Sequence, residues 1–325
     1  MVIVQTPLRV SLFGGGTDFP SFFRTMGGCV LTTTIDKYIF VTVKRRFDNK
    51  LRIGWTRTEM VDDVSEISHE LIRESLWKTG ISQGVEVTTM GDIPSQGSGL
   101  GSSSTVTVGA LLAMYSLQGE LVPAQQLARE ACEIEIDILG KPIGIQDQYI
   151  VAYGGLRFME FTTEGEVECR KLPLSGDSVR ELNEKLLLFY TGTTRSSATI
   201  LTEQKNNIER RMETLCEIKQ IAFQARDELL LGNVDAIGDL LHESWLLKKQ
   251  LASQISNGGI EDMYLAAREA GAVGGKITGA GGGGFLLLYC PHEKQKAIRK
   301  ALHGLQELPF SLEPDGSKVI FNYQR

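Results

Sequence analysis

A glycine- and serine-rich segment at residues 92–105 constrains this chain more than any other feature. Residues 85–89 before it alternate between apolar and polar and predict a strand, whereas residues 106–115 after it predict a buried helix. Glycines let the backbone approach a ligand closely, and the first turn of a helix presents free N–H groups and the positive end of its dipole. Two interpretations stand at this point: a loop that binds phosphate, or a serine-capped helix that follows a flexible turn.

The bulk composition narrows the function classes. The 325 residues are enough for one large or two ordinary domains, and the net charge of -6 gives no support for binding to nucleic acid or to an anionic membrane. No apolar run has the length of a bilayer span, and no signal-peptide pattern opens the chain. We expect neither nucleic acid nor membrane as a partner, and the oligomeric state stays open.

Cysteines and histidines argue against several kinds of site. The five cysteines are dispersed without C-x-x-C spacing, which favours reduced thiols in the cytoplasm and disfavours a zinc site. The four histidines are not paired at ligand spacing, and there is no G-x-S-x-G sequence. A histidine metal site and a Ser-His-Asp hydrolase are therefore not expected.

Hydrophobic patterning predicts a mixed succession of elements. Strands are predicted at 2–12, 37–44, 51–54, 84–89, 155–161, 185–190, 285–289 and 318–323. Helices are predicted at 62–78, 102–118, 123–139, 145–152, 197–231, 234–253, 260–270 and 293–304. Because strands dominate the first part and helices the middle, we place a domain boundary near residue 180, which gives domains at 1–180 and 181–325.

The first strand carries an arginine and ends in a run of glycines. Arg9 lies in an apolar strand, where its charge is costly unless an anion pairs with it. The sequence Gly14-Gly15-Gly16-Thr17-Asp18 follows. Taken alone, this run is typical of a tight turn with a capping aspartate.

A second glycine cluster lies at residues 274–284. Gly279, Gly281 and Gly284 have the G-x-G-x-x-G spacing, but a strand follows them, whereas a dinucleotide site requires a helix there. Ile277 stands where the Walker A pattern requires serine or threonine. This cluster is therefore interpreted as a loop whose amides pack against another loop or a phosphate.

Acidic residues cluster at one further place. Glu133, Glu135 and Asp137 lie in an otherwise apolar helix, where they cannot all share one face. We expect Glu133 and Asp137 to be solvated. Asp147, in the turn at 144–148, either takes part in a site or caps the next helix.

The order of these motifs resembles the GHMP kinases, the family of galactokinase, homoserine kinase and mevalonate kinase, from residue 1 to about 290. The resemblance implies an α+β fold, with a ribosomal S5 domain 2-like N-terminal domain and a ferredoxin-like C-terminal domain. It implies ATP and Mg²⁺ as cofactors, with Ser103 and Glu135 as metal ligands, Asp147 as the catalytic aspartate and Arg9 beside it. The implied ATP-binding residues are Pro94, Gly97, Ser98, Gly99, Leu100, Gly101, Ser102, Ser103 and Ser104. The implied substrate-binding residues are Gly15, Gly16, Thr17, Asp18, Asp147, Arg195 and Gly281.

The first motif departs from galactokinase in a way that bears on the substrate. Gly15 and Gly16 replace two side chains, one of them acidic, so a larger or phosphorylated sugar would fit. Two interpretations of Gly15 stand. Either the backbone needs glycine there because φ is positive, or the missing side chain leaves room for a phosphate of the substrate, which cationic residues such as Arg195 would bind.

The same motifs resemble D-glycero-D-manno-heptose 7-phosphate kinases and the kinase part of L-fucokinases, which phosphorylate the anomeric oxygen of a sugar. The expected function is the heptose 7-phosphate kinase, because fucokinase relatives commonly carry extra domains. The alternatives are a kinase for fucose or another neutral sugar, and an inactive homologue that senses sugar or ATP.

Overall fold

A computed structural model describes residues 1–94, 97–193 and 196–323. Its strands, in chain order, are β1 (Val2–Phe13), β2 (Gly28–Arg45), β3 (Leu51–Gly54), β4 (Thr58–Val61), β5 (Val85–Gly91), β6 (Leu156–Phe161), β7 (Val167–Lys171), β8 (Leu186–Tyr190), β9 (Gly274–Ile277), β10 (Phe285–Tyr289), β11 (Gln306–Glu307), β12 (Leu312–Glu313) and β13 (Lys318–Asn322).

Eleven α-helices lie in the described residues: α1 (Pro20–Met26), α2 (Glu70–Lys78), α3 (Ser102–Gln118), α4 (Ala124–Cys132), α5 (Gln146–Tyr153), α6 (Gly176–Lys185), α7 (Ser197–Asn206), α8 (Met212–Leu230), α9 (Ala236–Lys248), α10 (Gly258–Glu269) and α11 (Gln295–Ala301). A π-helical turn at Glu133–Ile138 extends α4. None of these helices combines the length and the apolar character that a membrane span requires.

The larger sheet carries the glycine-rich motifs that follow β1 and β5, whereas the cluster at residues 274–284 spans β9 and the loop to β10 of the smaller sheet. Its main path runs β13-β1-β2-β5-β3-β4, with β6 and β12 also paired to β2. Most pairs are antiparallel, but β3 runs parallel to β5. The almost entirely buried α3 packs against β1 and β2, so its N-terminus is held rigidly at the end of the loop that follows β5.

A smaller antiparallel sheet of the described residues has the order β11-β8-β10-β9. Helices α9 and α10 pack with it around a core that includes Trp245, Tyr264 and Leu286. The mixed α+β architecture expected from the motifs is therefore confirmed.

Several predicted elements differ from the observed ones. The helix expected at 197–231 is broken after Asn206, where two asparagines lower helix propensity and the Asn207 amide donates to Leu251 O at 3.1 Å. The helix expected at 62–78 reduces to a 3₁₀ turn at Val64–Glu66 and α2, with β4 ahead of them. Strand β2 begins at Gly28 rather than at 37, and β7, α6 and β9 were not predicted.

The last described strand, β13, belongs to the larger sheet. Strand β13 pairs with β1, as Val2 aligns with Asn322 and Gln5 with Lys318. Residue 180 lies inside α6. The boundary near it stays a prediction, and the last strand belongs to the sheet formed by the first part of the chain.

Candidate active site

The loop before α3, residues 97–101, has the geometry of a phosphate-binding loop and is named the phosphate loop. Gly97, Gly99 and Gly101 all have positive φ, of 73°, 73° and 81°. Gly101 is the N-cap of α3 and offers no side-chain cap, so the first N–H groups of the helix are left for another acceptor. This geometry favours the anion-binding interpretation over the serine-capped helix.

The second glycine cluster, residues 274–284, packs directly against that loop. A Cβ atom on Gly99 would lie 2.7 Å from Thr278 O, and one on Gly284 would lie 2.6 Å from Ser98 O. The Thr278 hydroxyl donates to Ser98 O at 3.3 Å. Such close approach explains why glycines are needed here, and the expected packing of one loop on another is what the structure shows.

Arg9 and Asp147 form a bidentate ion pair. Arg9 Nε donates to Asp147 Oδ1 at 2.7 Å and Nη2 donates to Oδ2 at 2.6 Å, while Nη1 donates to Gly99 O at 2.6 Å. The Arg9 side chain is 6% exposed and that of Asp147 is 22% exposed. The arginine that looked costly in an apolar strand therefore has its anion, and it ties the phosphate loop to the carboxylate.

Ser103, at the start of α3, is hydrogen-bonded to Glu135. Ser103 Oγ donates to Glu135 Oε2 at 2.7 Å, and Gln148 Nε2 donates to Oε1 at 3.3 Å. Lys141 Nζ donates to Ser103 Oγ at 3.2 Å. Glu135 is fully buried, and this burial raises its carboxyl pKa above the ordinary value despite these donors. Glu133 and Asp137 are exposed, as expected.

Asp18 fixes the first glycine turn against the start of α5. Its carboxylate accepts from Gly16 N at 2.9 Å and from Gln146 Nε2 at 3.0 Å. A Cβ on Gly144 would lie 1.9 Å from Asp18 Oδ2, so only glycine fits there. Burial raises the pKa of Asp18, and its hydrogen bonds oppose that shift.

Two adjoining cavities share Arg9 and Asp147. One, of about 160 Å³, is lined by the phosphate loop, Ser103 and Glu135. The other, of about 80 Å³, is lined by Gly15, Gly16, Asp18 and their neighbours. Asp147 therefore lies where a group bound in one cavity would face a group bound in the other.

Two lysines that the sequence did not single out as site residues also line the smaller cavity. Lys248 ends α9 and Lys276 lies in β9, and both are buried. Lys248 follows an ordinary helical pattern, so the sequence alone suggests a solvated residue. Lys276 begins the Lys-Ile-Thr-Gly-Ala-Gly run of the second glycine cluster, which is one of the motifs that resemble the GHMP kinases, but the resemblance assigns this lysine no role.

The remaining predicted residues are distributed as follows. Leu100 points into the core, and its carbonyl oxygen accepts from Arg9 N at 3.0 Å. The Thr17 hydroxyl donates to Cys29 O at 2.7 Å and to Gly14 O at 2.9 Å, which stabilises the turn. Gly281 lines the larger cavity rather than the one with Gly15. Arg195 lies outside the described residues.

Pro94 lines a separate cavity. This cavity encloses about 440 Å³, and its lining includes Trp55, His69, Ile93 and Val106. An indole and an imidazole therefore face a space next to the start of the phosphate loop.

The described residues contain no cluster of three or more His, Cys, Asp or Glu side chains placed to hold a metal ion. The Ser103 hydroxyl and the Glu135 carboxylate, which are hydrogen-bonded at 2.7 Å, could supply two hard oxygen ligands. That number suits Mg²⁺, which commonly takes one or two protein ligands and completes its shell with water and phosphate oxygens.

Comparison with known proteins agrees with these motifs. The model of the GHMP kinases N terminal domain matches residues 64–155, and the model of the GHMP kinases C terminal domain matches residues 225–305. A D-glycero-alpha-D-manno-heptose 7-phosphate kinase from Campylobacter jejuni is 32% identical over 95% of this chain and 96% of its own length.

Other relatives extend this picture. The crystal structure of a D-glycero-D-manno-heptose 1-phosphate kinase from Bacteroides thetaiotaomicron covers 100% of both chains with a TM-score of 0.83 and 26% identity. A bifunctional fucokinase/GDP-fucose pyrophosphorylase from Arabidopsis thaliana is 26% identical over 92% of this chain, which spans 31% of that relative. The chain therefore belongs to the GHMP kinase family and is a kinase that uses ATP.

Proposed function

We propose that the protein transfers the γ-phosphoryl group of ATP to the anomeric oxygen of D-glycero-D-manno-heptose 7-phosphate. The observation that carries this proposal is the position of Asp147 at the junction of the two cavities, held by two hydrogen bonds from Arg9. A carboxylate there can accept the proton of a sugar hydroxyl, or orient that hydroxyl toward the phosphate side.

Arg9 gives Asp147 its orientation. A bidentate guanidinium fixes the direction of the lone pairs of the carboxylate. The same guanidinium bonds to Gly99 O, so the carboxylate and the phosphate loop cannot move independently. Such preorganisation limits the rearrangement needed as charge develops on the transferring group.

The donor groups of the larger cavity fit Mg²⁺-ATP. The glycine loop and the start of α3 would hold phosphate oxygens through N–H groups, and Ser103 and Glu135 would hold the metal. A bound Mg²⁺ neutralises phosphate charge. Burial raises the pKa of the Glu135 carboxyl and nearby Lys141 opposes that shift, so a cation bound there would favour the ionised carboxylate.

A metal titration tests these two ligands. We expect Glu135→Gln and Ser103→Ala to raise the Mg²⁺ concentration needed for half-maximal activity while metal-free ATP binds almost as it does to the unchanged protein. If metal-free ATP binding falls as much as activity does, the ligand assignment is wrong.

We also propose that the aromatic-lined cavity beside Pro94 takes the adenine. It adjoins the start of the phosphate loop, and Trp55 and His69 provide faces on which a purine could stack. The acceptor would then occupy the cavity on the opposite side of Asp147.

A heptose phosphate is the favoured acceptor for two reasons. The relative with 32% identity over nearly the whole chain is a heptose 7-phosphate kinase. In addition, the space beside Gly15 is open: a Cβ there would meet nothing closer than Ser11 Oγ at 3.7 Å. A fucokinase-like activity on a neutral sugar is the second candidate, because relatives of that kind also match.

A substrate panel distinguishes these candidates. The purified protein is given ATP, Mg²⁺ and heptose 7-phosphate, L-fucose, D-galactose or D-mannose, and ADP release is measured. We expect the highest kcat/KM with heptose 7-phosphate. A higher value with fucose would support the second candidate, and no turnover of any sugar would support an inactive sensor.

We also propose the cytoplasm as the location of this protein, because the cytoplasm supplies the ATP that the reaction needs.

A further inference from the structure

The smaller cavity contains two buried ammonium groups. Lys248 and Lys276 are 6% and 3% exposed, respectively. One comes from the end of α9 and the other from β9, yet both line the cavity that Gly15 and Asp18 also line. Lysines are rarely buried to this extent unless an anion pairs with them.

Within the described residues, these ammonium groups bond only to backbone carbonyls. Lys248 Nζ donates to Gly279 O at 2.5 Å and to Ile277 O at 3.3 Å, and Lys276 Nζ donates to Leu12 O at 3.0 Å. Since an ammonium carries three N–H donors, both lysines retain donor capacity. Arg9, in the same cavity wall, has a carboxylate partner, so the two lysines differ from it.

The charges of the described cavity wall do not balance. Arg9 is matched by Asp147, which leaves both lysines facing Asp18 alone. Asp18 is itself occupied by Gly16 N and Gln146. Burial, with nearby Arg9, lowers the pKa of Lys248 to about 7, and burial lowers that of Lys276 well below its usual value. The protonated lysines therefore need an anion that this part of the chain does not supply.

Two neutral groups in the same wall also lack partners. Ser11 Oγ and Gln146 Oε1 are buried without a hydrogen bond in the described structure, and both residues line this cavity. A buried polar atom without a hydrogen bond costs free energy, so a ligand or a water molecule commonly provides the missing partner. Ser11 precedes Leu12, the residue whose carbonyl oxygen binds Lys276.

We propose that Lys248 and Lys276 bind the phosphate group that the acceptor sugar already carries, with Ser11 as an additional donor. The inference rests on the proposed function, because it assigns one end of that substrate. Ser11 lies next to Gly15 and Lys276 is anchored beside it, so this phosphate lies at the Gly15 end of the cavity. The sugar hydroxyl to be phosphorylated then faces Asp147.

The test compares a phosphorylated with an unphosphorylated acceptor. kcat/KM is measured for heptose 7-phosphate and for the unphosphorylated heptose with Lys248→Met, Lys276→Met and Ser11→Ala. Each lysine change should lower kcat/KM for the phosphorylated sugar by about 10- to 100-fold, the effect of losing a charge-assisted hydrogen bond. The value for the unphosphorylated sugar should change by less than about threefold.

Lys249→Met is the matched control. Lys249 follows Lys248 directly, but it pairs with Glu261 at 3.0 Å outside the cavity. It should leave the preference for the phosphorylated sugar unchanged. If Lys248→Met and Lys276→Met reduce kcat/KM equally for both sugars, the lysines only clamp backbone carbonyls, and the inference is refuted.

A binding measurement separates this inference from the proposed reaction. Calorimetry compares D-mannose 6-phosphate with D-mannose on the unchanged protein and on the same variants. Tighter binding of the phosphorylated sugar that both lysine changes remove supports the inference, even if heptose 7-phosphate is not turned over. Equal affinity for the two sugars on the unchanged protein overturns it.

Discussion

Gly15 offers a sharp test of how the acceptor is recognised. Its φ is not in the left-handed region, and an added Cβ would lie 3.7 Å from Ser11 Oγ and 3.9 Å from Gln146 Nε2, which are ordinary contacts. Alanine should therefore fit at this position. Gly16 differs, because its φ is +106° and a Cβ would lie 2.6 Å from Gln204 Nε2. Of these two glycines, Gly15 is the one that can be replaced by a charged residue without backbone strain.

The expected size of the effect follows from the charges involved. A carboxylate of Gly15→Glu about 6 Å from a bound phosphate, at an effective dielectric constant of about 20, repels each unit of phosphate charge by roughly 3 kcal/mol. This energy corresponds to roughly 100-fold in kcat/KM for each unit of charge, so a phosphate that carries between one and two charges should lose at least that much. The new carboxylate would also compete for Lys248 and Lys276, which line the same cavity.

The assay measures ADP release with heptose 7-phosphate and with the unphosphorylated heptose for Gly15→Glu and Gly15→Ala. Gly15→Glu should lose at least roughly 100-fold on the phosphorylated sugar and much less on the other one. Gly15→Ala should stay within a few fold of the unchanged protein on both. If glutamate and alanine reduce activity on the phosphorylated sugar equally, charge repulsion is not the cause and the reasoning is wrong.

Three further changes probe the rest of the site. Asp147→Asn should lower kcat by at least about 100-fold while the fold and ATP binding are retained, although the melting temperature should fall because buried Arg9 loses its anion; near-normal turnover would remove this residue from the mechanism. Trp55→Ala should raise KM for ATP by about 10-fold, because stacking is lost, while an unchanged KM would place the adenine elsewhere. Burial and nearby Arg9 lower the pKa of Lys248 to about 7, so the charged form is present below that pH and lost above it. kcat/KM for the phosphorylated sugar should therefore fall as pH rises through about 7, and a Lys248→Met variant should lack this fall.

The sequence predicted the glycine-rich loop and helix α3 because a local pattern specifies them. Helix α3 was predicted at its observed residues, since a glycine-rich loop followed by a long apolar run has few other conformations. Arg9 in an apolar strand required an anion, and the family motif named Asp147 as its neighbour. The loop and helix depend on a short stretch of chain, whereas Asp147 lies 138 residues from Arg9 and only the family resemblance brought the two together.

The two buried lysines of the smaller cavity could not be predicted in the same way. Lys248 and Lys276 lie in separate elements and line one cavity because α9 packs against β9. Strand β9 contains two glycines in four residues and has no local strand preference, so its pairing with β10 determines it. The break after Asn206 likewise depends on a contact of Asn207 with Leu251.

The most direct test of the account is the identity of the product. The purified protein is incubated with ATP, Mg²⁺ and D-glycero-D-manno-heptose 7-phosphate, and the product is examined by ³¹P NMR alongside ADP release. The account predicts one ADP for each sugar consumed and a second phosphate signal coupled to the anomeric proton. A phosphate on any other oxygen, or no ADP above the level without sugar, would contradict it.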